Sequence, residues 1–308
     1  MTKDFKPSDL LSSVELHELK QKHDWINACY LLLNWLQIFL CMTFVYFFPS
    51  FLTFCLGIIV IGSRQFALAV LMHEGAHNLL FRNPRINDWI TQWFCAYPIF
   101  NDNQPYRSYH LLHHRYTETS KDPDLSLSAP FPIKRASFAR KVFRDITGLT
   151  GLRRYKATFR SIVYDLNEEG KIKLQEGVWK KLRGFIITNS ILFFLISYFL
   201  HWTIFFLLWW LPSLTYYSLI IRIRNIAEHA VTPKDSNLNN TRTTRASILL
   251  RYVMVPLHVN YHLEHHLFAN CPWYNLPKAH NMLCKKGFLD RMCVEGSYYN
   301  VLKKATNG

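Results

Sequence analysis

Residues 29–48 read CYLLLNWLQIFLCMTFVYFF, an apolar stretch with no Asp, Glu, Lys or Arg. Its length matches the ~20 helical residues that cross ~30 Å of hydrocarbon. Pro49-Ser50 makes a short turn, and a second apolar run from Phe51 to Met72 is interrupted by Arg64. A similar pair follows later: GFIITNSILFFLISYFL at 184–200 and WTIFFLLWWLPSLTYYSLII at 202–221, parted by His201. Buried helices of a large soluble domain would also be apolar; that alternative is weak for the charge-free first run and stronger for 184–200, which sits at the lower limit for spanning. The pattern predicts an all-α integral membrane protein of two transmembrane helical hairpins, with four spans near 29–48, 51–72, 184–200 and 202–221.

Half of the 308 residues are hydrophobic and 16% are aromatic, yet the formal net charge is +15. Those values are compatible only if apolar and basic residues are segregated along the chain. The short turns at 49–50 and 201 carry no Lys or Arg, whereas the N-terminal stretch, 81–183 and the C-terminal stretch carry nearly all of them. The positive-inside rule then places the basic segments in the cytoplasm, and an even number of spans keeps both termini there. The expected organisation is a cytoplasmic N-terminal segment 1–24, a cytoplasmic helical cap formed by 73–183 and 222–285, and a C-terminal tail 286–308. Residues 1–24 are polar and show no cleavable signal peptide. A multi-pass protein of a bacterial inner membrane or the endoplasmic reticulum is expected.

Histidine clusters carry the chemistry. His73 and His77 stand in H-E-G-A-H; His110, His113 and His114, then His262, His265 and His266, each stand in H-x-x-H-H; His229 follows Asn225 by four residues. Residues three or four apart share a helix face, so each cluster is expected to aim its imidazoles at one point. Neutral imidazole is the commonest metal ligand, and eight or nine converging nitrogens exceed what one ion uses, which points to a two-metal site. His17, His23, His201 and His280 lack a clustered partner and read as surface or satisfied core residues. His258 lies one turn before His262 and reads equally as a ligand-supporting group or as incidental.

Arginines locate these clusters. Arg64 is costly in mid-bilayer, so it is expected to snorkel or to mark where the second helix leaves the lipid. At 1.5 Å per residue, His73 then lies ~13 Å beyond it. Arg222 and Arg224 mark the same exit on the fourth span, just before Asn225 and His229. All nine histidines are therefore expected to meet on one membrane face.

Residues 88–100 (DWITQWFCAYPIF) are too short to span, and Trp89, Ile90, Trp93, Phe94 and Tyr97 recur at helical spacing. A helix lying in the interface and a helix buried in the cap fit equally. Residues 232–245 read as an exposed loop. Seven cysteines without a C-x-x-C pair offer neither a disulfide framework nor an iron–sulfur motif. The metals must therefore be held by nitrogen and oxygen. Without a nucleotide-binding loop, reducing equivalents must come from a separate protein, and no nucleic-acid partner is expected.

Two other classes compete. His73-Glu74-Gly75-Ala76-His77 is a literal match to the H-E-x-x-H zinc-protease signature, in which the Glu is general base. Catalytic zinc takes three protein ligands plus water, so a membrane zinc metalloprotease would leave both H-x-x-H-H clusters unemployed. A protein that stores or moves metal would need polar residues along its spans, and apart from Arg64 there are few.

Three histidine boxes beside two hairpins resemble the membrane fatty acid desaturase superfamily. HEGAHNLLF at 73–81, YHLLHHRYT at 109–117, KDPDL at 121–125 and NYHLEHHLFANCPWYNLP at 260–277 resemble family segments, and the resemblance runs over about 25–285. It implies two non-haem irons held by His73, His77, His110, His113, His114, His229, His262, His265 and His266. Asn225 is similar to an accessory ligand that acts through a water. It further implies O2 as co-substrate, a lipid or fatty acyl substrate in the bilayer, and a ferredoxin, rubredoxin or cytochrome b5 type of electron donor. Glu74, Glu118, Asp122, Asp124, Glu228 and Glu264 sit close enough in sequence to accept the second N–H of ligating imidazoles. The first box is one residue shorter than in acyl-CoA desaturases and looks more like desaturases of complex lipids and many bacterial relatives. A hydroxylase or ketolase acting on a lipid, carotenoid or alkane uses the same scaffold, because both reactions share hydrogen abstraction.

Overall fold

The computed structural model describes residues 4–166 and 172–308; residues 1–3 of the N-terminal segment and 167–171 between the hairpins lie outside the described residues. Helix α1 (Asp24–Phe47) is followed by α2 (Phe51–Ala76). Ser50 and Thr53 exchange side-chain and backbone hydrogen bonds at that turn, which satisfies the first free N–H groups of α2 and fixes the hairpin. Among the described residues, four helices are long and apolar enough to cross a membrane, as the sequence predicts.

Arg64 does not snorkel. It is 2% exposed, and its guanidinium donates to the Tyr252 carbonyl, to Ser63 Oγ (3.1 Å) and to Gln37 Oε1 (3.4 Å) while lying 4.5 Å from the Tyr252 ring. The short helix Ile248–Val253 folds back against α2 and supplies Tyr252, while Ser63 comes from α2 and Gln37 from α1. Hydrogen bonds and a cation–π contact thus offset the burial of a charge that sequence alone would send to the interface.

The segment after α2 runs through Pro84–Ile90, a π-helical stretch Thr91–Ala96 and a 3-10 turn Tyr97–Ile99. Thr91, Cys95 and Ala96 are buried, while Trp89 and Phe94 are exposed, so one face packs on the protein and the other is left apolar and open. Gly75 permits this approach, since a Cβ there would lie 2.0 Å from Thr91 Oγ1. The glycine of H-E-G-A-H therefore serves packing. Helix α3 (Asn103–Tyr116) follows, and then α4 (Leu149–Val163).

Helix α5 (Val178–Phe199) starts six residues before the expected span and takes Lys180, Lys181 and Arg183 into its first turns. The fourth span, Trp202–His229, is broken: a π-helical stretch Phe206–Trp210 precedes Pro212, and Thr215 (φ −102°, ψ −89°) separates it from α6 (Tyr216–His229). Pro212 lacks an N–H and crowds the carbonyl four residues back, which accounts for the widened turn before it. Both second helices run on past a bilayer-length segment, so α2 delivers His73 and α6 delivers His229 at one end of the bundle.

The cap also takes in the N-terminal segment and the tail. Leu10, Leu11 and Leu19 of the N-terminal segment pack with Leu263 and Leu267 of α7 (His262–Leu267), and the tail helix Tyr298–Ala305 buries Tyr298 and Val301 in the main core. Two small ribbons pair Tyr164–Leu166 with Ile172–Leu174 and Thr243–Thr244 with Val294–Glu295, and helices such as Arg135–Ile146 and Leu276–Lys285 lie among the remaining described residues.

Candidate metal centre

The nine clustered histidines gather into two sets. His73, His77, His110, His114 and His265 form one; His113, His229, His262 and His266 form the other, and within each set the candidate ligand atoms lie within 4.8 Å of one another. The boxes do not each aim at one point, as the sequence reading expected. The i,i+4 pairs His73/His77 and His110/His114 share the first set, and the pair His262/His266 shares the second. His113 and His265, rotated about 100° from their i+1 neighbours, cross to the opposite set. Each H-x-x-H-H box thus spans both sets.

The nitrogens face one another. His110 Nε2 lies 2.9 Å from His77 Nε2, His114 Nε2 lies 3.0 Å from His110 Nε2 and 2.9 Å from His265 Nε2, and His262 Nε2 lies 2.8 Å from His229 Nε2. Each Nε2 of a neutral ring carries either one proton or one lone pair, so this convergence is poorly served by hydrogen bonding alone. Separations of this size are compatible with nitrogens that share a metal ion. Both ring nitrogens of His73 and the Nε2 of His266 are buried with no hydrogen-bond partner among the described residues. Burial drives the His77 pKa down to about 4 and, with neighbouring imidazoles, the His114 pKa to about 2; it also holds His110, His262, His265 and His266 well below the usual value. Neutral rings with unpartnered lone pairs fit two metal ions.

Carboxylates back this set unevenly. His113 Nδ1 meets Asp122 Oδ1 at 2.8 Å, and His262 Nδ1 lies 3.4 Å from Glu228 Oε1. Glu118 and Glu74 stand at 3.6 Å from the Nδ1 of His229 and His73, and Asp124 stands at 3.8 Å from that of His113. Glu74 spends its other oxygen on the Trp273 backbone N–H (3.0 Å). Glu264 departs from the expectation: its oxygens take the Thr243 hydroxyl and His280 Nδ1 (2.6 Å), so it braces α7 from behind. His280 is thereby a satisfied residue, His201 caps a helix and His17 is exposed beside Gln21. His258 stacks on Trp273 at 5.7 Å and belongs to neither set.

Several contributors escaped the sequence reading. Thr117 Oγ1 contacts His266 Nδ1 at 3.2 Å, the Tyr106 ring lies parallel to His110 at 5.4 Å, and Arg224 pairs with Glu228 at 2.6 Å. Thr117 lies within a quoted motif, but the partner of Arg224 on its own helix needed only the i,i+4 rule. Asn225, one turn before His229, lines a cavity of about 190 Å³ together with His113, His229 and His262. On the span side Phe66, Ala69, Val70 and Ile221 make that cavity apolar.

Comparison with known proteins agrees with this geometry. A family model described as fatty acid desaturase matches residues 49–287. A dihydrorhizobitoxine desaturase from Bradyrhizobium elkanii is 28% identical over 239 residues, which is 73% of this chain and 66% of that protein. The chain therefore spans just under two thirds of the length of this curated relative.

Proposed function

The chain belongs to the fatty acid desaturase family, and on that footing we propose that it is an O2-dependent membrane desaturase that inserts a C=C bond into a lipid acyl chain. His73, His77, His110, His114 and His265 would hold one non-haem iron. His113, His229, His262 and His266 would hold the second, with Asn225 contributing there through a water. The observation that carries this reading is the convergence of facing imidazole nitrogens at 2.8–3.0 Å at the buried end of four apolar helices. Two irons held there would supply reduction of O2, with electrons from a separate donor, and removal of hydrogens from unactivated carbons.

The chain's own residues prepare the site. The Asp122 carboxylate draws the His113 proton to Nδ1 and leaves Nε2 free to face the second set. Glu228 Oε1 takes Arg224 and also stands 3.4 Å from His262 Nδ1, so one oxygen neutralises a buried cation and faces a ring nitrogen. Phe66, Val70 and Ile221 exclude water from the side where a methylene chain would lie. The relative's name favours desaturation over hydroxylation or ketolation, and the short first box favours a complex lipid. Glu74 faces the Trp273 backbone, and His73 and His77 sit among three further imidazoles, an arrangement unlike a zinc-protease site. The basic segments favour a cytoplasmic cap, where a separate ferredoxin, rubredoxin or cytochrome b5 type of donor would reach it.

Lipid mass spectrometry on cells expressing the chain, with His265→Ala as control, tests the reading. A histidine-dependent product lacking two hydrogens supports it. A product gaining one oxygen would move the assignment to a hydroxylase, and one zinc in place of two irons would overturn it.

A further inference from the structure

A lipid tail must pass from the bilayer to the buried metal cavity, and the spans present two apolar grooves. One, of about 620 Å³, lies between α1, the 84–99 segment and α5, lined by residues such as Leu32, Trp35 and Phe94. The other, of about 610 Å³, lies between α4, α5 and the π-helical stretch of the fourth span. Phe100, Tyr155, Phe159, Phe185, Phe194 and Trp210 line it. Both fall within the size range of sites for chain-like ligands. The outer rim of the second is open, with Phe159 54%, Phe194 68% and Phe206 47% exposed.

The second groove backs directly onto the metal cavity. Phe100 lines the groove while its neighbour Asn101 lines the cavity. Tyr155 lines the groove while the guanidinium of Arg154 lies 4.5 Å from the ring of Tyr217, a cavity residue. Trp210 and Tyr217, on the same span, face the two spaces in the same order. In the first groove no lining residue is the immediate neighbour of a cavity residue; the nearest, Pro98, stands three positions from Asn101. Where the linings of the second groove and the cavity adjoin, the Phe100 ring lies 5.0 Å from both Tyr155 and Trp210, and Tyr155 is tethered by its hydroxyl to Ser213 Oγ at 2.8 Å. Phe100 itself has no such tether. It sits in a left-handed conformation (φ 56°) in the short link between the Tyr97–Ile99 turn and α3.

We propose that the groove between α4, α5 and Phe206–Trp210 is the bilayer-side binding site for the acyl tail of a membrane lipid, with Phe100 as the ring that closes its inner end. The tail reaches the metal cavity by displacing that one ring. The route presupposes the lipid substrate proposed above.

The test uses the full chain in native membranes with a phosphatidylcholine that carries a diazirine on its acyl chain, irradiated and mapped by peptide mass spectrometry. Labels are expected on groove residues such as Ile186 and on cavity residues such as Ile221. Ser190→Trp, which fills the groove, should cut cavity labelling about tenfold with metal content unchanged, and Phe100→Ala should raise it. Leu32→Trp in the other groove should leave it unaltered. If Ser190→Trp fails to load metal, Thr158→Trp blocks from the facing wall. Cavity labelling that survives the block overturns the route alone; absence of cavity labelling in the unsubstituted protein removes the lipid substrate and the route together.

Discussion

His113 and Asp122 form the tightest carboxylate–imidazole contact among the nine clustered histidines, 2.8 Å from Nδ1 to Oδ1, with both side chains almost wholly buried. Asp122 also accepts the backbone N–H of Glu118 (2.7 Å) and Asp124 (2.8 Å), so one carboxylate shapes the turn after α3 and fixes a ring. Asp122→Asn should keep the turn but weaken metal binding at the second set by about 10–100-fold. Iron titration of the purified variant reads this directly. Unchanged affinity would show that His113 needs no such support.

Glu74→Gln separates the enzyme classes. Its Oε2 accepts the Trp273 N–H, a role an amide oxygen retains. Both metals should remain, with less than about a tenfold loss of turnover, because only a supporting contact near His73 is altered. Abolished activity with full metal content would indicate a base at Glu74 and revive the protease reading.

Gly151 is where α4 meets the fourth span: a Cβ there would fall 2.4 Å from the Leu214 carbonyl oxygen and 2.5 Å from its Cα. Backbone cannot rotate aside as a side chain would, so Gly151→Ala should destabilise the folded protein by about 1–3 kcal/mol. Thermal unfolding in detergent should show a lowered midpoint, with exposed Leu152→Ala as a near-neutral control. Equal midpoints for the two variants would mean α4 docks elsewhere.

His258 gives an acid sensitivity independent of the metal sets. Burial, aided by Arg251, lowers its pKa from 6.5 to about 4. The unfolded chain then binds more protons between those values, so stability falls as pH drops from about 6.5 toward 4. His258→Phe keeps the ring against Trp273 and removes the titration. The difference in unfolding midpoint between pH 7.5 and pH 5 should be smaller in the variant; an identical difference would remove His258 as a contributor.

The charge-free run at 29–48 and its three companions were enough to place four membrane-length helices, since only hydrocarbon demands such lengths without charge. Eight histidines in three boxes and His229 were likewise enough to single out the side chains that gather in two buried sets. Helical periodicity is a local property, and both features are local. Arg64 shows the limit: sequence prices it as a cation in lipid, but Tyr252, 188 residues away, supplies the acceptor that buries it.

Tertiary structure alone decided how the boxes divide. The spacing of H-x-x-H-H fixes that its histidines point in two directions about 100° apart, but which neighbour lies in each direction depends on where α2, α3, α6 and α7 meet. The same holds for Glu264, which local distance assigns to its adjacent histidines and the fold assigns to Thr243 and His280. Sequence determined the clustering of imidazoles and the four long apolar helices because both follow from residue type and short-range period. The partition of ligands, their carboxylate partners and the groove behind Phe100 arise from contacts between distant segments, which no local pattern encodes.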